Sequence, residues 1–455
     1  MKKRLAILIS VSLWASAMLT GCGNNSDSTD GGAASVEDSA PAVEETAQAD
    51  GEENTAGGGD SDNIVIWAFT EPHAEYFRWV TEEYKKEHAD VDFTIEVMEI
   101  NALSDRLSVI NASGGDGAPD FVDMEQGQFP RFMSEEQMCF YPLDEFIERD
   151  SVAEKMVLNR LDLYSYDGHY YGLEHALCPV TMAYREDLFE EYGVKVPETW
   201  EEYMAAAEQF AEHGIYMAVA KDMAMGGDLD ELVLMLRPAG CDIVDANGDL
   251  NITDEFKTLV MDFIEMQQNG QLYAYETQEE AWPVYADDKV ATYFTADWAA
   301  GWLRDNVPEQ SGKWTMTALP KLTADSGTVS VRGGTGLCMT KYTDKDKESL
   351  WDFMTFAMLN KENCITKYEM IALYPPVYEA MAECSSPVEY YGGQNLGALY
   401  EELTDEIPIQ YQADWKSIFN ETFTSNAYDL TEGNITIDEM AEILTEAVTE
   451  YNESK

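Results

Sequence analysis

Carboxylates dominate the chemistry this chain could do. Its 455 residues carry 87 Asp and Glu against 28 Lys and Arg, a formal net charge of −59. With so many acids an acid–base pair can be drawn anywhere, so no single pair argues for catalysis. The more specific signals are missing: there is no G-x-S-x-G elbow, no nucleophilic cysteine–histidine signal and no metal-ligand spacing. Five histidines, His73, His88, His169, His175 and His213, are scattered. Beyond Cys22, the cysteines Cys139, Cys178, Cys241, Cys338, Cys364 and Cys384 form no C-x-x-C. Most have apolar neighbours, which predicts buried thiols rather than bridges. The run from Asp245 to Glu255 fails as a calcium loop, because Leu250 stands where the turn glycine must be and Phe256 where the bidentate Glu must be. A polar hairpin leading into a helix from Thr253 is the better reading. No cofactor and no metal is expected. Acidity of this degree also makes nucleic acid a poor partner and favours solubility or a cationic ligand.

The start of the chain reads as an address. Met1 to Cys22 has a basic start, an apolar core and the ending Leu19-Thr20-Gly21-Cys22. A run this short, behind positive charge and before small residues, is a secretory signal rather than a membrane span. Leu-Thr-Gly-Cys resembles a bacterial lipobox, which implies lipidation of Cys22. Residues 23–63 contain no aromatic and no Lys or Arg, but eleven Asp or Glu among small polar residues. Such a segment buries too little apolar surface to offset its ordering entropy, so a disordered tether of roughly 35 Å r.m.s. reach is expected.

The rest is too long for one ordinary core, so two lobes are expected. Asn63 to Phe69 is a buried-type strand, with a helix after it through Tyr84. Val91 to Ile100 is a second strand, Leu103 to Ala112 a second helix, and Asp120 to Met124 a third strand. That rhythm argues an α/β fold of parallel βαβ units with helices on both faces. In such sheets ligands sit beyond the carboxyl ends of the strands, which points to Thr70-Glu71 and to Glu125-Gln126. Later helices are expected at Trp200 to His213, Leu229 to Leu236 and Lys345 to Asn360, with a strand at Val290 to Phe294. For the first of these helices, Thr199 suits an N-cap and Glu202 a capping box.

The stretch Gly168 to Tyr203 is more specific. It joins Tyr171-Gly172-Leu173, an apolar strand ending Tyr184-Arg185-Glu186-Asp187-Leu188-Phe189, then Gly193-Val194 and Pro197-Glu198-Thr199-Trp200. This wording resembles the extracellular solute-binding proteins of bacterial ABC importers, carbohydrate type. Trp67, Ala118-Pro119-Asp120 and Tyr141 to Phe146 continue the resemblance. So do Asp287 to Trp298, Arg332 to Leu337 and Gln410 through Trp415 to Val448. It departs at Thr292, where the family commonly has Met, and at Ala296-Asp297, where it has Gly-Ser. The resemblance implies a two-lobe periplasmic-binding-protein-like fold, each lobe a mainly parallel sheet flanked by helices. The implied division is 64–175 and 331–376 for one lobe, 176–330 and 377–455 for the other. Crossings are expected near Glu174 to Val180, Ser330 to Leu337 and Ala372 to Tyr378.

It further implies capture of a carbohydrate between the lobes for an ABC permease. The protein would be a non-enzymatic monomer outside the cell, held to the membrane through a lipid alone. Trp67, Trp298 and Trp415 occupy motif positions that in the family face the cleft, and an apolar plane suits the C–H face of a sugar ring. Glu71, Glu125, Gln126, Asp228, Asp230 and Asp297 would hydrogen-bond its hydroxyls. Gly333 and Gly334 would allow a hinge or a close backbone wall. Two alternatives remain open: a cationic or amine-bearing solute held by the same carboxylates, and a surface glycoside hydrolase, whose site would also combine aromatics with two carboxylates.

Overall fold

The computed structural model describes residues 63–454 apart from Ser386. The expected signal, lipidated Cys22 and the tether up to residue 62 lie outside the described residues. Asn63, expected from sequence both at the end of the tether and at the start of the first strand, is the first residue of that strand.

Three parallel strands open the first lobe: β1 (Asn63–Ala68), β2 (Asp92–Val97) and β3 (Phe121–Glu125), with β1 paired to both others. Helices α1 (Glu71–Tyr84) and α2 (Ile100–Ala112) join them. The buried face of α1 holds Ala74, Phe77, Val80, Thr81 and Tyr84, at spacings of three and four that put them on one side. Helix α2 starts three residues before the Leu103 expected from sequence. The Glu99 carboxylate accepts the Asn101 and Ala102 N–H groups, a cap from a residue type that rarely signals one.

A hairpin of β4 (Ser165–Tyr166) and β5 (His169–Tyr170) precedes β6 (Gly172–Glu174) and β7 (Pro179–Arg185). In the second lobe β8 (Ala218–Lys221) and β9 (Leu272–Tyr275) pair in parallel. Strands β10 (Thr292–Ala296), β11 (Trp314–Thr317) and β12 (Ser330–Val331) follow, then β13 (Thr335–Met339). The first sheet has the order β2-β1-β3-β13-β6, with β13 antiparallel to both neighbours. The second is built on β7, and β10, β11 and β12 all run antiparallel to it. The expectation of a mainly parallel sheet in each lobe therefore needs correcting for the second. An apolar run marks a buried strand but not the direction of its partner.

The chain changes sheet between Glu174 and Pro179, and again between Val331 and Thr335. A third passage runs through Leu373 and Tyr374 after the helix Lys361–Ile371. Each sheet has its own core: Ile66, Phe77, Phe121 and Phe353 in one, Val180, Phe210, Phe256 and Phe419 in the other. At helix Trp200–Ala211 the Thr199 hydroxyl accepts the Glu202 N–H, but Glu202 answers to the Glu198 N–H, one residue earlier than a capping box requires. All six cysteines among the described residues are free, five of them buried and Cys241 partly so. No described helix is long and apolar enough to cross a membrane.

Candidate functional site

The three passages are tied by two buried carboxylates. Glu174, at the end of β6, is fully buried. One of its oxygens accepts the N–H groups of His175, Ala176 and Thr335, at 2.9, 3.2 and 2.8 Å. The other lies 3.1 Å from Nη2 of buried Arg160, which also donates to the Gly333 carbonyl at 3.1 Å. First and second passages thus meet in one ion pair. Burial pushes the Glu174 carboxyl up, against the pull of Arg160 and the three N–H groups.

Asp297 does the same for the third passage. It follows β10, and its two oxygens accept the Trp298 N–H and the Tyr374 N–H, both at 2.8 Å. Burial raises its carboxyl to about 7 despite those donors. This corrects the expectation that Asp297 meets a hydroxyl: it is 1% exposed and both oxygens hold backbone.

Between the lobes lie two grooves. One, of about 880 Å³, runs between Glu125, Gln126, Arg131 and Ser134 of the first lobe and Asp230, Gln412, Lys416 and Asn420 of the second. Across it the Gln126 side-chain oxygen accepts from the amides of both Gln410 and Gln412, while the Gln126 N–H reaches the Gly334 carbonyl at 2.9 Å. The oxygens of Gln410 and Gln412 are buried with no partner of their own among the described residues. The lobes are therefore clasped by neutral amides with hydrogen-bonding capacity in hand. Glu125 binds the Gly127 N–H at 2.7 Å, and burial raises its carboxyl to about 7, Asp230 adding to the rise.

The second groove, of about 640 Å³, is lined by Glu75, Trp298, Trp302, Tyr368 and Tyr400 among others. Trp298 is half-buried. Its indole N–H donates to the Arg332 carbonyl at 3.0 Å, and its ring meets Trp302 edge-on at 5.2 Å. Gly333 lies against that indole, and a Cβ there would stand 3.4 Å from its nitrogen.

The other expected site residues are placed differently. Trp67 is 1% exposed, packed in the first lobe with the Arg106 guanidinium 4.2 Å over its ring. Trp415 is buried in the second lobe, its N–H donating to the Gly248 carbonyl at 2.8 Å. Neither offers a free face in this structure, because each indole is covered by its own lobe. Glu71 stands on exposed surface, paired with Arg78. Asp228 caps the helix Leu229–Leu236 and pairs with Arg332 at 3.1 Å. The structure thus brings Glu125, Gln126 and Asp230 together in one groove and sets Trp298 in the other. Sequence reasoning missed Arg160, Arg332, Gln410 and Gln412. Only the alternation Gln410-x-Gln412, which turns two amides to one side of an extended segment, hinted at the last pair.

The acidic groups of the site give it a pH dependence. A carboxyl raised in the folded state binds its proton more tightly than in the unfolded chain, so its stabilisation is present below the ordinary value near 4.5 and lost as pH rises through about 7. The melting temperature should therefore fall from pH 5 to pH 8. Glu125→Gln should flatten part of that fall, as read by thermal melts at several pH values, and an unchanged slope would remove Glu125 from the account.

Comparison with known proteins agrees with this architecture. The model of a family described as bacterial extracellular solute-binding protein matches residues 79–390. The chain is 26% identical over 390 residues to an arabinooligosaccharide-binding protein of Halalkalibacterium halodurans, covering 80% of this chain and 84% of that one. A Bacillus subtilis arabinooligosaccharide-binding protein is 22% identical, with 80% and 86% covered. Among solved structures, the sugar-binding protein MalE of Xanthomonas citri superposes with a TM-score of 0.69 at 15% identity, over 86% of this chain and 98% of that one, a likeness of fold. With the matched segment spanning β7 and all three passages between the lobes, this chain belongs to the bacterial extracellular solute-binding protein family.

Proposed function

We propose that the protein captures a neutral oligosaccharide between its lobes and delivers it to the permease of an ABC importer. It does so as a monomer, tethered outside the cell by a lipid on Cys22. The observation that carries the reading is the amide clasp across the groove, Gln126 with Gln410 and Gln412. Amides donate and accept without charge, which suits hydroxyl-rich neutral solutes. Similarity over four-fifths of the chain to two arabinooligosaccharide-binding proteins makes arabinose oligomers the first ligands to try. Membership in a family of solute binders leaves no role for the hydrolase alternative.

Glu125 and Asp230 on the same groove favour one second reading, a cationic solute. Calorimetry of arabinotriose binding against salt separates the two. A neutral sugar holds its affinity, whereas a cation loses affinity as its charges are screened.

Trp298 is the stacking surface of this proposal. If a sugar ring covers ~100 Å² of indole, burial at ~25 cal/mol per Å² gives ~2.5 kcal/mol, roughly 70-fold in affinity. Trp298→Ala should weaken binding one to two orders of magnitude. Trp298→Phe, which keeps a ring plane but loses the bond to the Arg332 carbonyl, should weaken it less. Wild-type affinity in Trp298→Ala would end the stacking claim. Cys22→Ala should release the protein from membranes with its affinity in solution intact, and a variant still in the membrane fraction would refute the anchor.

A further inference from the structure

Behind Arg332 the second lobe encloses a cavity of about 80 Å³. Its walls are aromatic, with Trp200, Tyr203, Tyr293 and Phe294 among them. Apolar holes stay dry and need no occupant, but this one is not apolar. Tyr285 lines it with a side chain 1% exposed, and its hydroxyl has no hydrogen-bond partner among the described residues. Glu231 lines it too, and burial raises its carboxyl to about 8, Asp228 pushing the same way and Arg332 pulling back. Leaving a buried phenol without a partner is costly, so something that hydrogen-bonds belongs there.

The cavity also has a position. The Asp228–Arg332 pair forms part of its lining, and Arg332 begins the Gly333-Gly334 passage between the lobes. Trp302 lines both this cavity and the groove that holds Trp298. Asp230, two residues from Asp228, lines the other groove. The chamber therefore lies beside both grooves, and its small volume has room for about six waters. That suits the polar edge of one ring and not a continuing chain.

We propose that this chamber is an end subsite, which takes the polar edge of the terminal ring of a neutral oligosaccharide and stops the chain there. A ring hydroxyl donates to Glu231, another accepts from Tyr285 or Arg332, and the aromatic walls cover the C–H face. The inference rests on the carbohydrate reading and adds a direction to it: the protein recognises a chain end rather than an internal stretch.

Calorimetry on the full chain tests this with arabinotriose, free or carrying a bulky aromatic label at one end or at the other. One labelled form should lose at least 100-fold in affinity, while the form labelled at the opposite end should bind like the free sugar. Glu231→Gln and Tyr285→Phe should each lose about tenfold, with melting temperatures of the unliganded protein near wild type. Equal binding of both labelled forms, or wild-type affinity in both variants, would overturn the subsite alone. No binding of the free trisaccharide to wild type would overturn the arabinose reading and the subsite with it.

Discussion

Arg160→Ala should cost about 3–5 kcal/mol of folding stability, the largest loss expected from any single substitution outside the cores. Arg160 and Glu174 are both fully buried, and removing the guanidinium leaves a carboxylate in a dry interior with only backbone N–H groups around it. The Gly333 carbonyl loses its donor as well. Denaturant unfolding reads the effect directly. Without Arg160, burial drives the Glu174 carboxyl towards its neutral form, so the deficit should shrink at low pH. A loss below about 1 kcal/mol at neutral pH would mean that the ion pair does not hold the passages together.

Gly334→Ala should do comparable damage by a different route. The glycine has φ of 148°, and an added Cβ would stand 2.5 Å from the Arg160 nitrogen and 2.8 Å from a Glu174 oxygen. The substitution strains the backbone and splits the ion pair in one step, at a cost of about 2–4 kcal/mol. Gly312 provides the comparison, since its φ is 80° but nothing lies within 4 Å of the added atom. Gly312→Ala should show the backbone strain alone, about 1 kcal/mol. Equal melting temperatures for the two variants would contradict the crowding at Gly334.

These two residues also show how far sequence reasoning reaches. The Gly333-Gly334 pair was legible as a passage between lobes through the family resemblance of Arg332 to Leu337, the glycines themselves saying only that close backbone approach is allowed. Its partner Arg160 was not, since it lies far along the chain from Gly334 in a segment with no motif, and only folding brings them together. The βαβ rhythm from Asn63 to Met124 was legible because buried strands and amphipathic helices differ in period. The site was read less well. A motif position names the loop an aromatic sits on, but the side chain chooses a face by local packing. Trp67 and Trp415 turned inward, under Arg106 and against Gly248, while Trp298 stayed half-exposed. Asp297 shows the same limit for polar groups, because backbone N–H groups from two segments claimed both its oxygens.

Capture of a neutral sugar is tested most directly by calorimetric titration of the full chain with arabino-oligosaccharides at low and high salt, followed by chromatography of the recovered ligand. The expected result is saturable binding, an affinity that barely moves with salt, and a glycan returned at its original length. Absence of binding by any neutral oligosaccharide, or an affinity that collapses as salt rises, would contradict the account.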